Sequence, residues 1–249
     1  SGAVRGVGVD GARVAVELLL GYPALGYQRS LAELVKQHLE ADPRIEHAVV
    51  DVAFRVVAHK VQNGLTPLPG VKNILAVASG KGGVGKSTTA VNLALALKAE
   101  GANVGILDAD IYGPSQPRML GLSGRPEVRD GQRLVPKIGF GLQVMSIGFM
   151  VEEDTPMIWR GPMVTQALQQ LLNETAWDDL DYLVIDLPPG TGDIQLTLCQ
   201  RVPVSGALIV TTPQDIALLD ARKGLKMFEK VQVPVLGVVE NMSTHICSQ

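Results

Sequence analysis

One glycine-rich stretch constrains this chain more than any other part of it. Residues 79–88 read Ser-Gly-Lys-Gly-Gly-Val-Gly-Lys-Ser-Thr and satisfy the pattern G-x-x-x-x-G-K-[ST], with Gly80 as the first glycine. In such a loop, backbone N–H groups surround phosphate oxygens, while the lysine and the hydroxyl group serve the phosphates and Mg²⁺. The residues expected to bind a nucleotide are Gly80, Lys81, Gly82, Gly83, Val84, Gly85, Lys86, Ser87 and Thr88.

The sequence on either side of this loop has the pattern that a phosphate site requires. Residues 74–78 form an apolar run of strand length, and residues 87–100 carry apolar side chains at helical spacing. Glycines allow the backbone to approach the phosphates, and the helix N-terminus adds partial positive charge. The alternative is chance, but the bare pattern is expected in only about one chain of this length in a hundred. We therefore predict a nucleotide site between a strand and a helix.

Beyond the loop, the chain alternates strand and helix patterns. Apolar runs predict strands at residues 74–78, 103–107, 142–147, 182–185, 207–211 and 235–239. Helical stretches are predicted at residues 87–100, 163–172 and 215–230. This alternation predicts an α/β fold with a doubly wound, mainly parallel sheet, whose ligands bind at the carboxyl ends of the strands.

The first sixty residues have a different pattern. Alternating valines around Asp10-Gly11 predict a hairpin, and residues 30–33 (Ser-Leu-Ala-Glu) fit a capping box that would begin a helix. A third strand is predicted at residues 50–56. We therefore predict three parts: a small α+β domain at residues 1–62, a Gly- and Pro-containing linker at residues 63–70, and the nucleotide-binding domain at residues 71–249.

The composition of the chain indicates which partners and which cellular compartment to expect. The chain has 249 residues and a net charge of −3, and no block of Lys and Arg stands out, so neither a nucleic-acid partner nor a membrane partner is expected. Two cysteines, Cys199 and Cys247, cannot build a disulfide framework, and this fits a reducing compartment such as the cytoplasm. Because the chain begins at Ser1 rather than Met, we expect that it has been processed, tagged or shortened.

Two predicted strands end in acidic residues. One ends in Asp108-Ala109-Asp110, and another ends in Asp186, which a turn containing Gly190 follows. An apolar strand that ends in aspartate supplies the metal-binding carboxylate of Mg²⁺-dependent NTPases, and a glycine after it can sense the γ-phosphate. For each strand, the alternative is an aspartate that caps a helix.

The lysine inside the loop indicates a subclass. With Lys81, residues 80–88 resemble the deviant P-loop of the SIMIBI class, which includes MinD, ParA, the nitrogenase iron protein and the Mrp-type iron-sulfur carriers. The resemblance implies an ATP-bound homodimer in which Lys81 reaches the partner's nucleotide and Asp110 orients the attacking water. It also implies that Ser87 and Asp186 bind Mg²⁺, and that Lys81, Lys86 and Asp110 are the catalytic residues. A solvated loop lysine is the alternative for Lys81.

Three further stretches resemble the Mrp/ApbC branch of this class: residues 108–115 (Asp-Ala-Asp-Ile-Tyr-Gly-Pro-Ser), 159–163 (Trp-Arg-Gly-Pro-Met) and 186–193 (Asp-Leu-Pro-Pro-Gly-Thr-Gly-Asp). The resemblance implies a carrier that hydrolyses ATP slowly, binds a [4Fe-4S] cluster between subunits and transfers it to apo iron-sulfur proteins. It also implies that Asn241 contacts adenine, for which a strand-end turn is the alternative. The N-terminal unit resembles a SufT-like domain whose opening residues are missing.

The family's cluster site is a C-x-x-C motif soon after an Asn-Met-Ser turn. Here Cys247 stands at the first cysteine, and the sequence stops one residue before the second. From spacing alone a lone buried thiol is favoured, whereas the resemblance favours a cluster ligand. Since two Cys247 sulfurs are too few for a cluster that usually takes four thiolates, we expect this chain to hold one poorly and a longer chain to hold one per dimer. Cys199 is expected in the core.

Two other functions remain open from the sequence. A MinD- or ParA-like positioning or scaffold ATPase would act on a membrane or DNA surface, and would need an amphipathic basic helix or a basic patch. Neither is visible in the sequence. A nitrogenase-like reductase would also bridge a cluster between subunits, but with a different cysteine pattern.

Overall fold

The computed structural model describes residues 2–62, 64–150 and 161–244. The chain divides into two compact units. The first unit contains Ser1–Ala58 and Ala96–Ala102, and the second contains His59–Leu95 and Asn103–Gln249. None of the described helices is long and apolar enough to cross a membrane.

The first unit is a three-stranded sheet with one helix. Its elements are β1 (Val4–Asp10), β2 (Arg13–Leu20), α1 (Gln28–Glu40) and β3 (His47–Phe54). Strands β1 and β2 form the predicted antiparallel hairpin, in which Gly11 turns with φ +58°. Strand β3 runs parallel to β2, and helix α1 packs on β3. The resemblance of this unit to a SufT-like domain stays a prediction.

The predicted capping box at residues 30–33 is wrong. Helix α1 begins two residues before Ser30, and its N-cap residue, Tyr27, makes no side-chain capping hydrogen bond. The reason is the preceding turn, in which the carbonyl of Ala24 already accepts hydrogen bonds from the N–H groups of Tyr27 and Gln28, each at 3.0 Å. The chain therefore enters the helix from an existing turn and needs no serine cap.

The second unit is built on a seven-stranded sheet with the order β12-β11-β4-β10-β5-β9-β8. The strands of this sheet are β4 (Val71–Ser79), β5 (Val104–Asp108), β8 (Lys137–Gly139), β9 (Leu142–Ser146), β10 (Leu180–Asp186), β11 (Gly206–Thr211) and β12 (Val235–Glu240). A separate two-stranded sheet contains β6 (Val128–Arg129) and β7 (Arg133–Leu134). The helices are α2 (Lys86–Ala99), α3 (Gln116–Met119), α4 (Gly161–Glu174), α5 (Asp193–Arg201) and α6 (Asp215–Lys230), with a 3₁₀ turn at Ile147–Phe149. All strands of the sheet are parallel except the edge strand β8.

The predicted doubly wound α/β fold is confirmed. Its central strands β4, β5 and β10 are apolar runs with most of their residues buried, as expected for strands covered on both faces. In register, Asp186 of β10 lies beside Val77 on one side and Asp108 on the other. The phosphate loop and the acidic strand ends therefore meet at one edge of the sheet, where such folds bind ligands.

Candidate nucleotide-binding site

The phosphate loop connects β4 to α2, as the pattern predicts. Gly83 and Gly85 adopt positive φ angles of +78° and +85°. The Ser79 hydroxyl group donates a hydrogen bond to the carbonyl of Lys81 at 2.9 Å, and the N–H of Gly190 donates to the carbonyl of Ser79 at 2.9 Å. The loop is thus tied to β4 at one end and to the turn after β10.

Two of the loop glycines lie where a side chain would collide with another element. A Cβ atom on Gly80 would lie 2.5 Å from the Cβ of Asp220 and 2.6 Å from its carbonyl carbon, on helix α6. A Cβ on Gly85 would overlap Nδ2 of Asn241. By contrast, Gly82 and Gly83 have nothing within 4 Å of that position. Gly80 and Gly85 are therefore needed for packing within the protein, whereas Gly82 and Gly83 leave space for a ligand to approach the backbone.

Lys86 begins helix α2 and is 6% exposed. Its Nζ lies 2.5 Å from Oδ1 of Asp186, 3.4 Å from Oδ2 of Asp110 and 3.3 Å from the Ser87 hydroxyl oxygen. Asp186 is completely buried. The structure therefore brings together the loop lysine, the hydroxyl group and the two aspartates that the sequence assigned to the phosphates, Mg²⁺ and the attacking water.

Asp108 is a third buried carboxyl group at this edge. It accepts hydrogen bonds from the N–H of Asp110 at 3.2 Å, the N–H of Gln116 at 3.0 Å and the Ser146 hydroxyl group at 3.1 Å. Burial, and secondarily the charge of Asp186, raise the pKa of Asp108 to about 7. Burial also raises the pKa of Asp110, against the opposing charge of Lys86. The described site therefore has more carboxyl groups than ammonium groups, and this excess favours the binding of a further cation.

The donor set fits Mg²⁺ that is shared with a nucleotide. Mg²⁺ is usually held by one or two carboxylates, phosphate oxygens and several waters, rather than by a protein cage. The Nζ of Lys86 contacts both the Ser87 hydroxyl oxygen and Oδ1 of Asp186, so these two oxygens lie close together. Oδ1 of Asp110 is a buried oxygen without a hydrogen-bond partner in the described residues. Among those residues no group of three or more His, Cys, Asp and Glu side chains is placed to hold a metal by itself.

Asn241 follows β12 and lies against the phosphate loop. Its Nδ2 donates to the carbonyl of Val84 at 2.9 Å, and its backbone N–H donates to the carbonyl of Thr211 at 2.8 Å. Its predicted contact with adenine stays a prediction.

Thr88, the last residue of the loop pattern, is exposed in the first turn of α2.

The described residues do not include every predicted site residue. Cys247 lies outside them, as do Trp159 and Arg160 of one family-like stretch. Cys199 is 1% exposed on α5, as the sequence analysis expected of a core residue, and burial raises its thiol pKa to about 12.

Two residues of the site were missed by sequence reasoning. The Gln116 side chain is fully buried and contacts Ser87 and Asp186, while Ser146 at the end of β9 contacts Asp108. No spacing rule connects either residue with the loop. The available signal was position, because Ser146 ends β9 and Gln116 follows the end of β5, and both strands end at the edge of the sheet where the loop lies.

The chain is similar to a known protein family and to several characterised proteins. Residues 70–249 match the family described as the NUBPL iron-transfer P-loop NTPase, within the ParA group. The chain is 64% identical over 206 residues to the iron-sulfur cluster carrier protein of Pseudomonas fragi, which covers 82% of this chain and 72% of that protein. It is 69% identical over 180 residues to the iron-sulfur cluster carrier protein of Escherichia coli K12, which covers 72% of this chain but 49% of that protein.

A solved structure is similar as well. The nucleotide-binding protein of Archaeoglobus fulgidus, in complex with ADP, shares 42% identity and a TM-score of 0.63, over 72% of this chain and 70% of that one. Since the family match covers well over half of the chain and includes the whole phosphate site, it agrees with the resemblance found in the sequence. The chain belongs to the family of NUBPL iron-transfer P-loop NTPases.

Proposed function

We propose that this chain binds and hydrolyses ATP and, as a homodimer, carries a [4Fe-4S] cluster to apo iron-sulfur proteins in the cytoplasm. The observation that carries the nucleotide part of the proposal is the buried contact of 2.5 Å between Lys86 and Asp186 at the phosphate loop. Family membership supports the cluster part, as do the names of the relatives, which are iron-sulfur cluster carriers. A reducing compartment suits the proposal because it keeps thiols available as cluster ligands.

ATP binding would exchange the partners of Lys86. In the structure, the ammonium group of Lys86 is neutralised by Asp186 and Asp110. The terminal phosphates of ATP offer a stronger anionic partner, and the N–H groups of the loop surround the same oxygens. Mg²⁺, held by Ser87 and Asp186, would neutralise charge that develops on the phosphates. The carboxylates released by Lys86 would then be free for the metal and for water.

Asp110 is the residue proposed to orient the attacking water. Its Oδ2 is 3.4 Å from Lys86, and its buried Oδ1 has no partner among the described residues. Its raised pKa reflects burial, which makes the carboxylate a better proton acceptor than a solvated one. Slow turnover is proposed by analogy with the carrier family that the sequence resembles.

Lys81 is proposed to act on the nucleotide of the partner subunit. Its backbone is held by the Ser79 hydroxyl group, and its side chain belongs to the loop that would face a second subunit. We expect Lys81→Ala to bind ATP but to lose turnover, and a mixture with Asp110→Ala subunits to regain part of it. Normal hydrolysis by Lys81→Ala alone would contradict a role in trans.

The nucleotide and the cluster would be coupled through the segment after β12. Asn241 is hydrogen bonded to the carbonyl of Val84 inside the loop, and Cys247 follows six residues later. A rearrangement of the loop around phosphate would therefore act on the start of the segment that carries the proposed cluster ligand. This coupling would let ATP control cluster release.

Anaerobic reconstitution tests the proposal. The protein should be extended to supply the second cysteine of the motif and compared with its Cys247→Ala and Cys199→Ala variants, by bound iron and sulfide and by ATP-dependent transfer to an apo-protein. We expect about one cluster per dimer in the unmutated and Cys199→Ala proteins, and loss of the cluster in Cys247→Ala. Equal, stable cluster in Cys247→Ala would refute the assignment.

A further inference from the structure

The side chain of Gln116 joins three elements of the candidate site. It begins the short helix α3 and is completely buried. Its Nε2 donates hydrogen bonds to the carbonyl of Ser87 at 3.0 Å and to Oδ2 of Asp186 at 3.0 Å. Its backbone N–H donates to Oδ2 of Asp108 at 3.0 Å. One residue therefore connects the start of α2 with the carboxyl ends of β10 and β5.

These contacts determine the orientation of the amide group. A backbone carbonyl oxygen can only accept a hydrogen bond, and an ionised carboxylate can also only accept. Both partners therefore require the NH₂ end of Gln116, and its carbonyl oxygen, Oε1, must point elsewhere. Oε1 is buried and has no hydrogen-bond partner among the residues that the structure describes.

Gln116 belongs to a segment with several such oxygens. Oδ1 of Asp110 and the hydroxyl oxygen of Ser115 are likewise buried without a partner within the described parts of the chain. A buried acceptor without a donor is unfavourable, so Oε1 of Gln116 is available to a donor that the protein itself does not supply within the described residues, such as a bound water. The donor has to reach an oxygen located beside Asp186.

We propose that Gln116 positions Mg²⁺ in the nucleotide complex, by holding Oδ2 of Asp186 with its NH₂ group and by accepting a hydrogen bond from a metal-bound water with Oε1. This inference rests on the proposed function, because it assumes that Ser87 and Asp186 receive Mg²⁺ together with a nucleotide. Mg²⁺ retains several waters when it binds to proteins, and these waters are donors. Hydrogen-bonding partners in the outer shell orient metal ligands and contribute strongly to affinity.

The contacts of Asp186 explain why a neutral amide suits this position. One oxygen of Asp186 contacts Lys86, and the other contacts Gln116. When Lys86 turns to phosphate, the Gln116 contact keeps the carboxylate in place and leaves Oδ1 for the metal. A glutamate here would add another carboxylate beside Asp186 and Asp108, and would face the Ser87 carbonyl with an acceptor.

The experiment measures the Mg²⁺ dependence of ADP binding, because ADP needs neither hydrolysis nor a cluster. A fluorescent ADP analogue is titrated into the 249-residue chain in EDTA and then with increasing Mg²⁺. Gln116→Met, which removes both the donor and the acceptor at nearly constant length, is compared with Gln170→Met, a control on the exposed surface of α4. We expect Gln116→Met to weaken the Mg²⁺ affinity of the ADP complex by about 10- to 100-fold. Its ADP affinity in EDTA should stay close to that of the control.

A folded Gln116→Met protein with unchanged Mg²⁺ affinity would overturn the inference. An equal loss of ADP affinity with and without Mg²⁺ would overturn it too, because that result indicates only a structural role. If Gln116→Met fails to fold, the same titration of Gln116→Asn tests the inference. Asn keeps the amide group, but its side chain is one methylene shorter and cannot reach both Ser87 and Asp186. If the Gln116 variant binds ADP with unaltered Mg²⁺ dependence, only the inference about Gln116 is refuted. If the unmutated chain does not bind ADP, the proposed function is refuted as well.

Discussion

The ammonium group of Lys86 lies 2.5 Å from Oδ1 of Asp186, and both side chains are buried. A lysine that the loop pattern assigns to phosphate is thus held by a carboxylate that the strand pattern assigns to Mg²⁺. Asp110 contacts the same ammonium group at 3.4 Å. Nucleotide and metal binding must therefore separate groups that neutralise each other, and we expect the two events to depend on one another.

Substitution of Gly80 tests the packing of the loop. Gly80→Ala would place a Cβ atom 2.5 Å from Asp220, and the nearest atoms include backbone that cannot move aside. We expect the free energy of unfolding to fall by about 1–3 kcal/mol, since overpacking against fixed atoms costs this much. Gly82→Ala is the matched control, because nothing lies within 4 Å of its added Cβ. Urea unfolding of both variants without nucleotide is the measurement, and equal stability would contradict the close approach of α6 to the loop.

Asn241 is expected to stabilise the loop through the carbonyl of Val84. Asn241→Asp keeps the shape of the side chain but replaces the donor with an acceptor that faces a carbonyl oxygen, so nucleotide binding should weaken more than in Asn241→Ala. Calorimetric titration with Mg·ATP compares the two. If both variants bind as tightly as the unmutated protein, the Val84 contact has no influence on the site.

Cys199 is expected to be unreactive in the folded protein. Burial raises its pKa to about 12, and only the thiolate reacts readily, so very little reactive species exists at pH 8. In a Cys247→Ser variant, a thiol reagent should label Cys199 only after unfolding in guanidinium. Rapid labelling of the native variant would show that Cys199 is accessible, and would contradict its place in the core.

The buried Asp108 predicts a pH dependence of stability. Its folded-state pKa is about 7, above the value of 3.8 for a free aspartate, so between these values the folded protein holds a proton that the unfolded chain has released. The free energy of unfolding should therefore decrease as pH rises through this range. Asp108→Asn removes this titration, so the variant should lose less stability than the unmutated chain between pH 5 and about 8. The measurement is the free energy of unfolding of both proteins in EDTA at pH 5 and at about pH 8. An equal loss of stability in the unmutated chain and in Asp108→Asn would contradict the raised pKa of Asp108.

Regular elements with strong patterns were predictable from the sequence. Helix α6 spans Asp215–Lys230, which matches its predicted range, because an amphipathic stripe ends at a turn on each side. The central strands were found because strands covered on both faces must be apolar throughout. Helix α1 began earlier than predicted because a turn replaced the side-chain cap. The short strands β6, β7 and β8 were missed, since two or three residues are too few to show a period.

The phosphate loop was predictable because its residues are consecutive, whereas the rest of the site depends on distant contacts. Gln116 reaches carbonyl and carboxylate oxygens that are 29 and 70 residues away in the sequence. Asn241 reaches a loop carbonyl across 157 residues. No local pattern encodes such pairs, because they arise only when the parallel strands align their carboxyl ends. The contact between Lys86 and Asp186 was hidden for the same reason, although each residue had been assigned to the site.

The most direct test of the account is calorimetric titration of Mg·ATP into the unmutated chain, Lys86→Met and Lys226→Met, a control on the exposed face of α6. Circular dichroism first establishes that Lys86→Met is folded, since loss of the ammonium group leaves buried carboxylates unpaired. We predict that the unmutated chain and Lys226→Met bind Mg·ATP alike, and that a folded Lys86→Met binds at least about tenfold more weakly, because a charged hydrogen bond to phosphate is lost. Equal affinity in all three proteins would contradict the assignment of Lys86 to the nucleotide phosphates.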